Sequence, residues 1–462
     1  MTIKKRKAYE LEIIDLAFGG KGLAKPEGFP VFIDRCVPGD RVFAKITKKK
    51  KSWAEAKLIR IIDNSPLRRQ GRCRYCNFCG GCKWQQIDYE LQLEYKKNHV
   101  VDSLAHIGRL KHVPVRDVTG SDRIFGYRNK MEFSCSSRRW LLPEELENEN
   151  IRKDFGIGLH VPGTFDKVID IKECHIMPSL GNMILEDVRN FIRKSGLPAY
   201  DLKTHEGFWR FLMLRHSAAH DMWMVNIVTK YRHDDEVEEL AGMLGAKYPQ
   251  IESVMNNITD AKSGVSIGQE EICLYGKDHI REKLGNFVFK ISANSFFQTN
   301  TGACEKLYAK VAEYADLTGR EVVADLYSGT GTIPIWLSDS AAMIYGIEIV
   351  ESAVEDARQN AALNSIENCR FILGDMKDVL PALEYRPDVM IIDPPRVGMH
   401  KDVVAQVISM RPDKIVYVSC NPATLARDLE MLSQVYGIRE VQPVDMFPHT
   451  YHIESVALLE KK

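Results

Sequence analysis

The spacing of hydrophobic and polar residues divides this chain into three stretches. In residues 8–63, short apolar runs alternate with glycine-containing turns, which is the pattern of short, closely spaced strands. In residues 66–290 the pattern is mixed, with one helical segment and several strand-like ones, at residues 89–104, 130–136, 155–160, 211–216 and 223–228. From about residue 291, strand-length runs alternate with helix-length segments, which is typical of a parallel sheet with crossover helices.

These stretches predict an α/β protein with three domains. We place the domains at residues 1–64, 65–290 and 291–462, because 462 residues exceed one ordinary hydrophobic core. The first is predicted to be a small OB-like β-barrel, and the second a mixed α+β domain. With 45% hydrophobic and 27% charged residues, the composition is that of a globular protein.

Positive charge is concentrated in the first domain. Residues 1–60 contain 15 Lys and Arg against 7 Asp and Glu, although the whole chain has a formal net charge of zero. Residues 48–51 are four lysines, and Trp53 follows them, which suits contact with phosphates and stacking of one base. The pattern favours a polyanion partner, with a solvated charged face as the alternative. We expect the catalytic crevice to be independent of this domain, because we assign it no residue before 290.

In the third domain, successive apolar runs each end at a polar side chain. These side chains are Asp325, Glu348, Asp375, Asp393 and Cys420. Ligands of open α/β sheets bind at the carboxyl ends of the strands, where the ends of parallel strands meet. We therefore predict that the five side chains line one crevice.

The first of these strands leads into a glycine-containing loop. Gly329 and Gly331 would let the backbone approach a ligand closely, and Glu348 suits hydrogen bonds to ribose hydroxyls. The loop lacks both the third glycine of the dinucleotide fingerprint and the Lys-Ser/Thr of a P-loop. A ligand with ribose but without a bound phosphate fits better, so S-adenosylmethionine is favoured over NAD or ATP. Asp375 is a candidate partner of its adenine amino group.

Cys420 follows the apolar run 415–418 and precedes Pro422, which cannot continue a central strand. A thiolate at this edge is a candidate covalent nucleophile, and a small buried hydrophobic residue is the alternative. Asp393 is followed by two prolines, which fix a rigid exit from the sheet. Similar Asp/Asn-Pro-Pro turns occur in methyltransferases that act on exocyclic amino groups.

Five short motifs resemble, in order, those of the S-adenosylmethionine-dependent RNA uracil-5-methyltransferases, particularly the 23S rRNA members. They are Tyr-Arg-Asn-Lys at 127–130, Ser-Phe-Phe-Gln-Thr-Asn at 295–300, Asp-Pro-Pro-Arg at 393–396, Ser-Cys-Asn-Pro at 419–422 and Pro-His-Thr-Tyr-His-Ile-Glu at 448–454. The resemblance covers nearly the whole chain. It implies a class I, Rossmann-like methyltransferase domain after an amino-terminal TRAM domain. One departure is Thr332, where several relatives carry asparagine.

The resemblance also implies roles for single residues. It makes Cys420 the nucleophile and Glu454 the base. The implied cofactor contacts are Gln298, Tyr327, Glu348 and Asp393. Addition of a thiolate to carbon 6 of uracil makes carbon 5 electron-rich, and after methyl transfer a base must remove the carbon 5 proton so that the cysteine leaves.

Carbon 5 is inaccessible in a stacked helix, so the uracil should be flipped out or come from a loop. Phe296, Phe297 and Tyr327 are candidate stacking faces, with ordinary core packing as the alternative for the two phenylalanines. His449 and His452 could set the environment of the base, although histidines in a loop are more often structural.

Cys73, Cys76, Cys79 and Cys82 recur every three residues, a spacing too compact for a zinc ribbon. The resemblance instead implies a 4Fe–4S cluster held by Cys73, Cys79, Cys82 and the distant Cys174, with Cys76 surplus. We expect a structural or RNA-positioning role for the cluster. The remaining cysteines are assigned to packing: Cys36, Cys135, Cys273, Cys304 and Cys369.

No apolar stretch approaches the roughly 20 residues that span a bilayer, and residues 1–7 lack the apolar segment of a signal peptide. We expect a cytoplasmic monomer whose partner is RNA and not a membrane. The expected activity is that of a 23S rRNA (uracil-5-)-methyltransferase. A tRNA uracil-5-methyltransferase is the nearest alternative, disfavoured because those members usually lack the TRAM-like domain and the cysteines. An amino-directed methyltransferase and a non-enzymatic RNA-binding iron–sulfur protein are the others.

Overall fold

The computed structural model describes residues 3–148, 150–262, 268–383 and 385–462. Residues 1–2 of the segment compared with a signal peptide lie outside these ranges. Among the described residues, no helix is long and apolar enough to cross a membrane. The secondary structure confirms an α/β protein, organised around three large sheets and one separate hairpin.

The first sheet has six strands in the order β1-β5-β6-β4-β3-β2. The strands are β1 Ala8–Glu12, β2 Asp15–Ala17, β3 Lys21–Ala24, β4 Val31–Ile33, β5 Arg41–Lys49 and β6 Ala54–Asp63, and a 3-10 turn spans Pro26–Gly28. Along β5, Val42, Ala44 and Ile46 are buried while Arg41 and Lys45 are exposed, which is the alternation of a half-buried strand. Because β1 and β2 lie at opposite edges and are separated by two residues, the chain passes directly from one edge to the other.

The second sheet has eight strands in the order β14-β13-β12-β11-β7-β9-β10-β8. Its elements and the preceding helix are α1 Tyr89–His106, β7 Lys130–Ser136, β8 Arg139–Trp140, β9 Gly156–His160, β10 Val168–Asp170, α2 Ser179–Ser195, β11 Trp209–Ser217, β12 Met222–Thr229, α3 Asp234–Lys247, β13 Ile251–Ile258 and β14 Glu270–Gly276; a 3-10 turn spans Pro143–Glu145. The predicted helix and all four predicted strands of this region are confirmed, with ends that differ by at most two residues.

The third sheet has seven strands in the order β19-β18-β17-β20-β21-β23-β22. The elements of this region are the hairpin β15 His279–Leu284 and β16 Phe287–Ser292, then α4 Thr301–Ala315, β17 Val322–Leu326, α5 Thr332–Leu337, β18 Met343–Glu348, α6 Glu351–Leu363, β19 Cys369–Leu373, α7 Met376–Ala382, β20 Val389–Ile392, α8 Lys401–Met410, β21 Lys414–Ser419, α9 Pro422–Leu432, β22 Tyr436–Val444 and β23 Glu454–Lys461. Strands β17 to β21 are parallel, as predicted. β23 is antiparallel to both neighbours, with Ser455 opposite Ser419, so β23 begins where β21 ends.

Helix α1 belongs structurally to the third sheet as well as to the middle of the chain. Its Val100 and Leu104 are buried in the apolar cluster that covers one face of that sheet. Isolated bridges between Val115 and Val441 and between Thr119 and Val444 extend the contact. Residues 89–119 therefore fasten the middle region to the carboxyl-terminal strands.

The first sheet packs on residues close to the third. Leu16 and Val37 form one apolar cluster with Trp84 and Ile87, and Tyr451 packs against it. A turn of the first sheet thus lies against the loop that leads into β23, three residues before Glu454. The independence of the crevice from the first domain stays a prediction. The expectation that no crevice residue precedes residue 290 is wrong, because Gly268 and Glu271 line the cavity at the carboxyl ends of the parallel strands.

Candidate active site

The carboxyl ends of the parallel strands open into a cavity of about 1020 Å³. Asp325, Glu348, Asp393 and Cys420 line it, so four of the five predicted strand endings share one crevice. Asp375 is the exception, because it lines a neighbouring cavity and its side chain accepts a hydrogen bond from Lys377 N at 3.0 Å, capping α7. The prediction for Asp375 is wrong in this respect, since its carboxylate serves the first turn of a helix.

Backbone geometry fixes the glycine-containing loop beneath this cavity. Gly331 has φ 78°, and a Cβ there would lie 2.8 Å from the ring of Phe371, so only glycine fits without a shift. Tyr327, at the start of the loop, has a positive φ of 67°. Positive φ at a non-glycine residue is a strained conformation that concentrates at ligand-binding sites.

Glu348 is fixed at the cavity wall by three backbone donors. Its carboxylate accepts hydrogen bonds from Gly329 N at 3.0 Å, Ile349 N at 2.8 Å and Val350 N at 2.9 Å. Because a carboxylate offers about four acceptor sites, capacity remains for a ligand hydroxyl. The strand end and the glycine loop together therefore provide an oriented acceptor.

All four predicted cofactor contacts line this cavity: Gln298, Tyr327, Glu348 and Asp393. The segment that carries Gln298 is fastened by Asn129, whose Nδ2 donates to Gln298 O at 2.9 Å and whose backbone N donates to Thr299 O at 2.9 Å. Thr332, the position that departs from the family pattern, also lines the cavity, with its Oγ1 2.8 Å from the Tyr308 hydroxyl.

The sequence pattern predicts that Asp325 lines the crevice but assigns it no role. It is 1% exposed, and within the described residues neither carboxylate oxygen has a hydrogen-bond partner. Burial, with repulsion from Asp393 and Glu348, raises its pKa well above the usual range. Buried polar groups are almost always paired, so this orphaned acid in the cavity wall calls for a ligand group that is a donor or a cation. The α-amino group of S-adenosylmethionine is such a group.

The turn after β21 holds Cys420 at the cavity. Asn421 caps α9, since its side chain accepts a hydrogen bond from Ala423 N at 3.1 Å. The Nδ2 of Asn421 donates to Arg396 O at 3.1 Å, and Thr424 Oγ1 donates to the same oxygen at 3.3 Å. These bonds join the Ser-Cys-Asn-Pro turn to the Asp-Pro-Pro-Arg turn, so the predicted nucleophile and Asp393 keep a fixed relation.

Glu454 lies beside Cys420 because antiparallel β23 begins where β21 ends. Burial raises the pKa of Glu454 to about 8, with Asp393 adding to the shift and Arg396 opposing it. Burial, with the charge of Glu454 adding to the shift, raises the pKa of Cys420 to about 11. Burial raises the pKa of Asp393 to about 6. The cavity thus contains three interacting proton-binding groups, and the pKa values of two of them, Glu454 and Asp393, lie close to neutral pH.

The loop between β22 and β23 is fastened at its first half by α1. Asp445 and Lys96 form a fully buried ion pair at 2.6 Å, and the ammonium also donates to Phe447 O at 3.1 Å. His449 N donates to the side-chain oxygen of Gln92 at 2.8 Å. Because a buried ion pair is costly to break, this end of the loop is rigid.

The two histidines of this loop have different surroundings. His452 lines the cavity, and burial lowers its pKa to about 4, so the imidazole there is neutral. His449 does not line the cavity; its ring lies 4.4 Å from that of Phe125. His452 therefore remains a candidate for setting the environment of Glu454, whereas His449 has a structural position.

The adjacent phenylalanines 296 and 297 also divide between two roles. Phe297 is 5% exposed and packs against Phe289, with ring centroids 5.9 Å apart, in the apolar core. Phe296 is 67% exposed at the cavity. Phe297 thus packs in the core, as the alternative expects, although it also lines the cavity, and Phe296 stays a candidate stacking face together with Tyr327.

A second, narrower pocket gathers cysteines from two distant segments. It is lined by Cys73, Cys76, Cys79, Cys82 and Cys174. The pocket is small, with a volume of about 20 Å³. In the described part of the chain, no three His, Cys, Asp or Glu side chains converge in the way that would hold a metal ion.

The thiols of this pocket influence one another. Burial, with the charge of Cys73 adding to both shifts, raises the pKa of Cys174 to about 11 and that of Cys82 to about 12. The four predicted ligands thus line one pocket, and their role as ligands of a cluster stays a prediction. Among the cysteines assigned to packing, Cys273 is exposed on β14, so that prediction is wrong for it; Cys36, Cys135 and Cys304 are buried and Cys369 is half-buried.

Fold and site together define an α/β methyltransferase. The model of the tRNA (uracil-5-)-methyltransferase family matches residues 221–462. The chain is 42% identical to an uncharacterised RNA methyltransferase of Porphyromonas gingivalis, over 97% of this chain and 99% of that protein. It is also 42% identical to one of Chlorobaculum tepidum, over 99% of this chain and 97% of the other. The chain belongs to the S-adenosylmethionine-dependent RNA uracil-5-methyltransferase family.

A solved structure resembles the chain along its whole length. It is the Pyrococcus abyssi tRNA (uracil-54, C5)-methyltransferase in complex with S-adenosyl-L-homocysteine. The two are 30% identical with a TM-score of 0.76, over 98% of this chain and all of that one. A tRNA enzyme therefore matches the first domain and the cysteine segment too, which removes the reason for preferring rRNA over tRNA on the presence of those regions.

Proposed function

We propose that this enzyme transfers the methyl group of S-adenosylmethionine to carbon 5 of a uridine in RNA through a covalent adduct with Cys420. The observation that carries the proposal is the pairing of Cys420 and Glu454 at one cavity, beside the strand ends of a methyltransferase sheet. An amino-directed methyltransferase has no use for this cysteine, and a non-enzymatic RNA-binding protein has no use for the cavity.

The cofactor side of the cavity is formed by the first strands of the sheet. S-adenosylmethionine supplies an electrophilic methyl group when it is bound. Glu348 accepts from the ribose hydroxyls, and Asp325 pairs with the α-amino group, because its oxygens otherwise lack partners among the described residues. Gln298, Tyr327 and Asp393 complete the contacts that we assign from their place in the cavity wall.

The uracil side is formed by Cys420 and Glu454. The thiolate forms a bond to carbon 6, and the electron pair of the 5,6 double bond passes onto the ring as an enolate. Carbon 5 then forms its bond to the methyl group as the bond from that methyl group to the sulfonium breaks, and the electron pair of the broken bond stays on the sulfur of the departing S-adenosylhomocysteine. Glu454 removes the carbon 5 proton, the double bond re-forms and the thiolate leaves. A carboxyl group with a pKa of about 8 suits this step, since an efficient base has a pKa near the working pH.

RNA containing 5-fluorouridine tests the mechanism, because fluorine at carbon 5 cannot be removed as a proton. The wild type should form an adduct that survives denaturing electrophoresis, and Cys420→Ala should form none. Cys369→Ala removes a half-buried cysteine outside the cavity and should form the adduct normally. An adduct in Cys420→Ala, or none in the wild type, would contradict the proposal.

We further propose, from the resemblance of its five motifs to those of the 23S rRNA members, that the substrate is 23S rRNA and that the enzyme acts as a monomer in the cytoplasm. The second candidate is tRNA, favoured by the full-length match to the archaeal tRNA enzyme. Mapping of 5-methyluridine after incubation with 23S rRNA and tRNA transcripts decides between them. Methylation of 23S rRNA alone is the expected result, and methylation of tRNA alone would replace the first candidate.

The domains are assigned in the same way. Residues 1–64 are proposed as a TRAM domain, because β1 and β2, which follow each other in the chain, form the two opposite edges of the six-stranded sheet. Residues 65–290 are proposed to hold a 4Fe–4S cluster on Cys73, Cys79, Cys82 and Cys174, because these thiols line one pocket. The methyltransferase domain then comprises residues 291–462.

A further inference from the structure

A turn of the first sheet lies against the loop that leads to the base. The ring of Phe18 meets that of Tyr451 edge to face, with centroids 5.5 Å apart and an interplanar angle of 85°. Gly20, with φ 80°, lies so close that a Cβ would be 3.1 Å from the ring of Tyr451 and 2.9 Å from a side-chain carbon of Lys83. The turn therefore approaches the loop as closely as glycine permits.

From Tyr451 the chain of packed rings continues into the cavity. The ring of Tyr451 lies against that of His452, with centroids 4.1 Å apart. His452 lines the cavity together with Cys420, and Glu454 follows two residues later. One pair of neighbouring rings, Tyr451 and His452, thus lies between the first sheet and the cavity.

Lys83 links the turn of the first sheet, the loop that leads into β23 and the cysteine segment. Its backbone N donates to His449 O at 2.9 Å, and its Nζ donates to Gly19 O at 2.9 Å. The Nζ also lies 5.4 Å from the ring centroid of Tyr451. Because Lys83 follows Cys82 in the chain, the cysteine segment, the turn and the loop meet at this side chain.

The two halves of the loop between β22 and β23 are held by different kinds of contact. Its first half is held by the buried pair of Asp445 and Lys96 and by Gln92. In its second half, the side chain of Tyr451 packs against Phe18, Gly20 and Lys83. Removing that packing should loosen the segment that leads into Glu454 and leave the turn of Cys420 in place.

We propose that Phe18 and Lys83 are positioning residues for Glu454, so that the first domain acts in release of the product as well as in binding of RNA. This inference rests on the proposed function. Proton abstraction requires the carboxylate within hydrogen-bond reach of carbon 5, whereas methyl transfer depends on Cys420 and the cofactor. A misplaced loop therefore slows elimination more than methylation.

The test follows methyl groups from labelled S-adenosylmethionine during a single turnover on RNA, separating protein-bound from free RNA on denaturing gels. Phe18→Ala and Lys83→Met should methylate within about twofold of the wild type but release at least about tenfold more slowly, a modest part of what a general base contributes. Protein-bound methylated RNA should accumulate. Phe18→Tyr, which restores the ring, should release normally.

Phe43→Ala is the matched control. Phe43 lies on β5 of the same sheet, where the guanidinium of Arg60 is 5.7 Å from its ring centroid. It should release like the wild type. Equal slowing of methylation and release in Phe18→Ala, accumulation of adduct in Phe43→Ala, or restoration of Phe18→Ala by saturating RNA would each overturn the inference. Absence of a 5-fluorouridine adduct in the wild type would instead overturn the proposed function.

Discussion

Cysteine thiols lie in two pockets of this molecule, and the two pockets differ in the residues that surround the thiols. Cys420 lies alone beside Glu454 and Asp393 in a cavity of about 1020 Å³. The cysteines at 73–82 and 174 have one another as neighbours in a pocket with about 20 Å³ of free space. Burial raises the pKa of the thiols in both places. Burial alone therefore does not identify a nucleophile, whereas carboxylates that move protons and room for a substrate do.

The largest expected effect comes from removing the isolated thiol. Cys420→Ala should lower methylation at least about a thousandfold, because the variant cannot activate carbon 5. Its affinity for S-adenosylmethionine should stay within about threefold, since the cofactor contacts lie on other strands. Calorimetric titration and labelled methyl transfer measure the two quantities. Cys273→Ser, at an exposed cysteine, is the control and should behave as the wild type.

Glu454→Gln should separate the two halves of the reaction. The amide cannot accept the carbon 5 proton, so the variant should methylate RNA but release it about a hundredfold or more slowly. The wild-type release rate should rise with pH through about 8, because the base must be ionised. Free turnover by the variant would assign the proton to another group.

Substitutions in the cysteine pocket should change the iron content of the protein and leave its methylation activity unchanged. Protein purified anaerobically should contain about four irons per chain, the content of one 4Fe–4S cluster. Cys174→Ser should lose the iron, and Cys76→Ser, which changes a fifth cysteine of the same pocket, should keep it. Stoichiometric zinc without iron would contradict the assignment.

The carboxyl group of Glu454 should also make stability depend on pH. Its pKa is about 8 in the folded protein, whereas that of an unfolded glutamate is about 4.3. Between these values only the folded state keeps the proton, so the free energy of unfolding falls as pH rises from about 5 to about 8. Urea unfolding of the ligand-free protein should show a smaller fall for Glu454→Gln. An equal fall in both proteins would exclude Glu454 as the group.

The smallest effect is expected at the lysines of the first sheet. Lys50 and Lys51 are exposed between β5 and β6, near Trp53. If a lysine binds a phosphate, its replacement by alanine should make the slope of log affinity against log salt shallower by roughly 0.7–0.9. Substitution with alanine is a cleaner test than deletion of residues 1–63, because the deletion would also remove Leu16 and Val37 from their apolar cluster. Lys57→Ala, an exposed lysine on β6, is the control; an unchanged slope in all three variants would mean a solvated face.

The sequence pattern is sufficient to predict structure that depends on residues close together in the chain. The position of Cys420 followed from an apolar run that stops at a proline, and the loop at Gly331 from strand, glycine and helix in succession. The sequence pattern does not predict the pairing of strands that lie far apart in the chain. The insertion of β23 beside β21, which brings Glu454 to Cys420, carries no local signal, and the resemblance to a family supplied that residue.

Local patterns miss other features for the same reason. Cys174 reaches the pocket of Cys73 through the folding of a whole sheet, and the resemblance to a family supplied that residue too. Phe296 and Phe297 are neighbours in an irregular segment, where no periodicity decides which ring enters the core. The packing of Phe18 on Tyr451 joins two turns, and neither turn has a pattern that names its partner.

The most direct test of the covalent mechanism is the identity of the residue bound to RNA. The adduct of the wild type with 5-fluorouridine RNA would be digested with protease and nuclease and its peptides analysed by mass spectrometry. We expect one modified peptide, with a methylated fluorouridine attached to Cys420. Attachment to another residue, or an adduct without the methyl group, would contradict the mechanism.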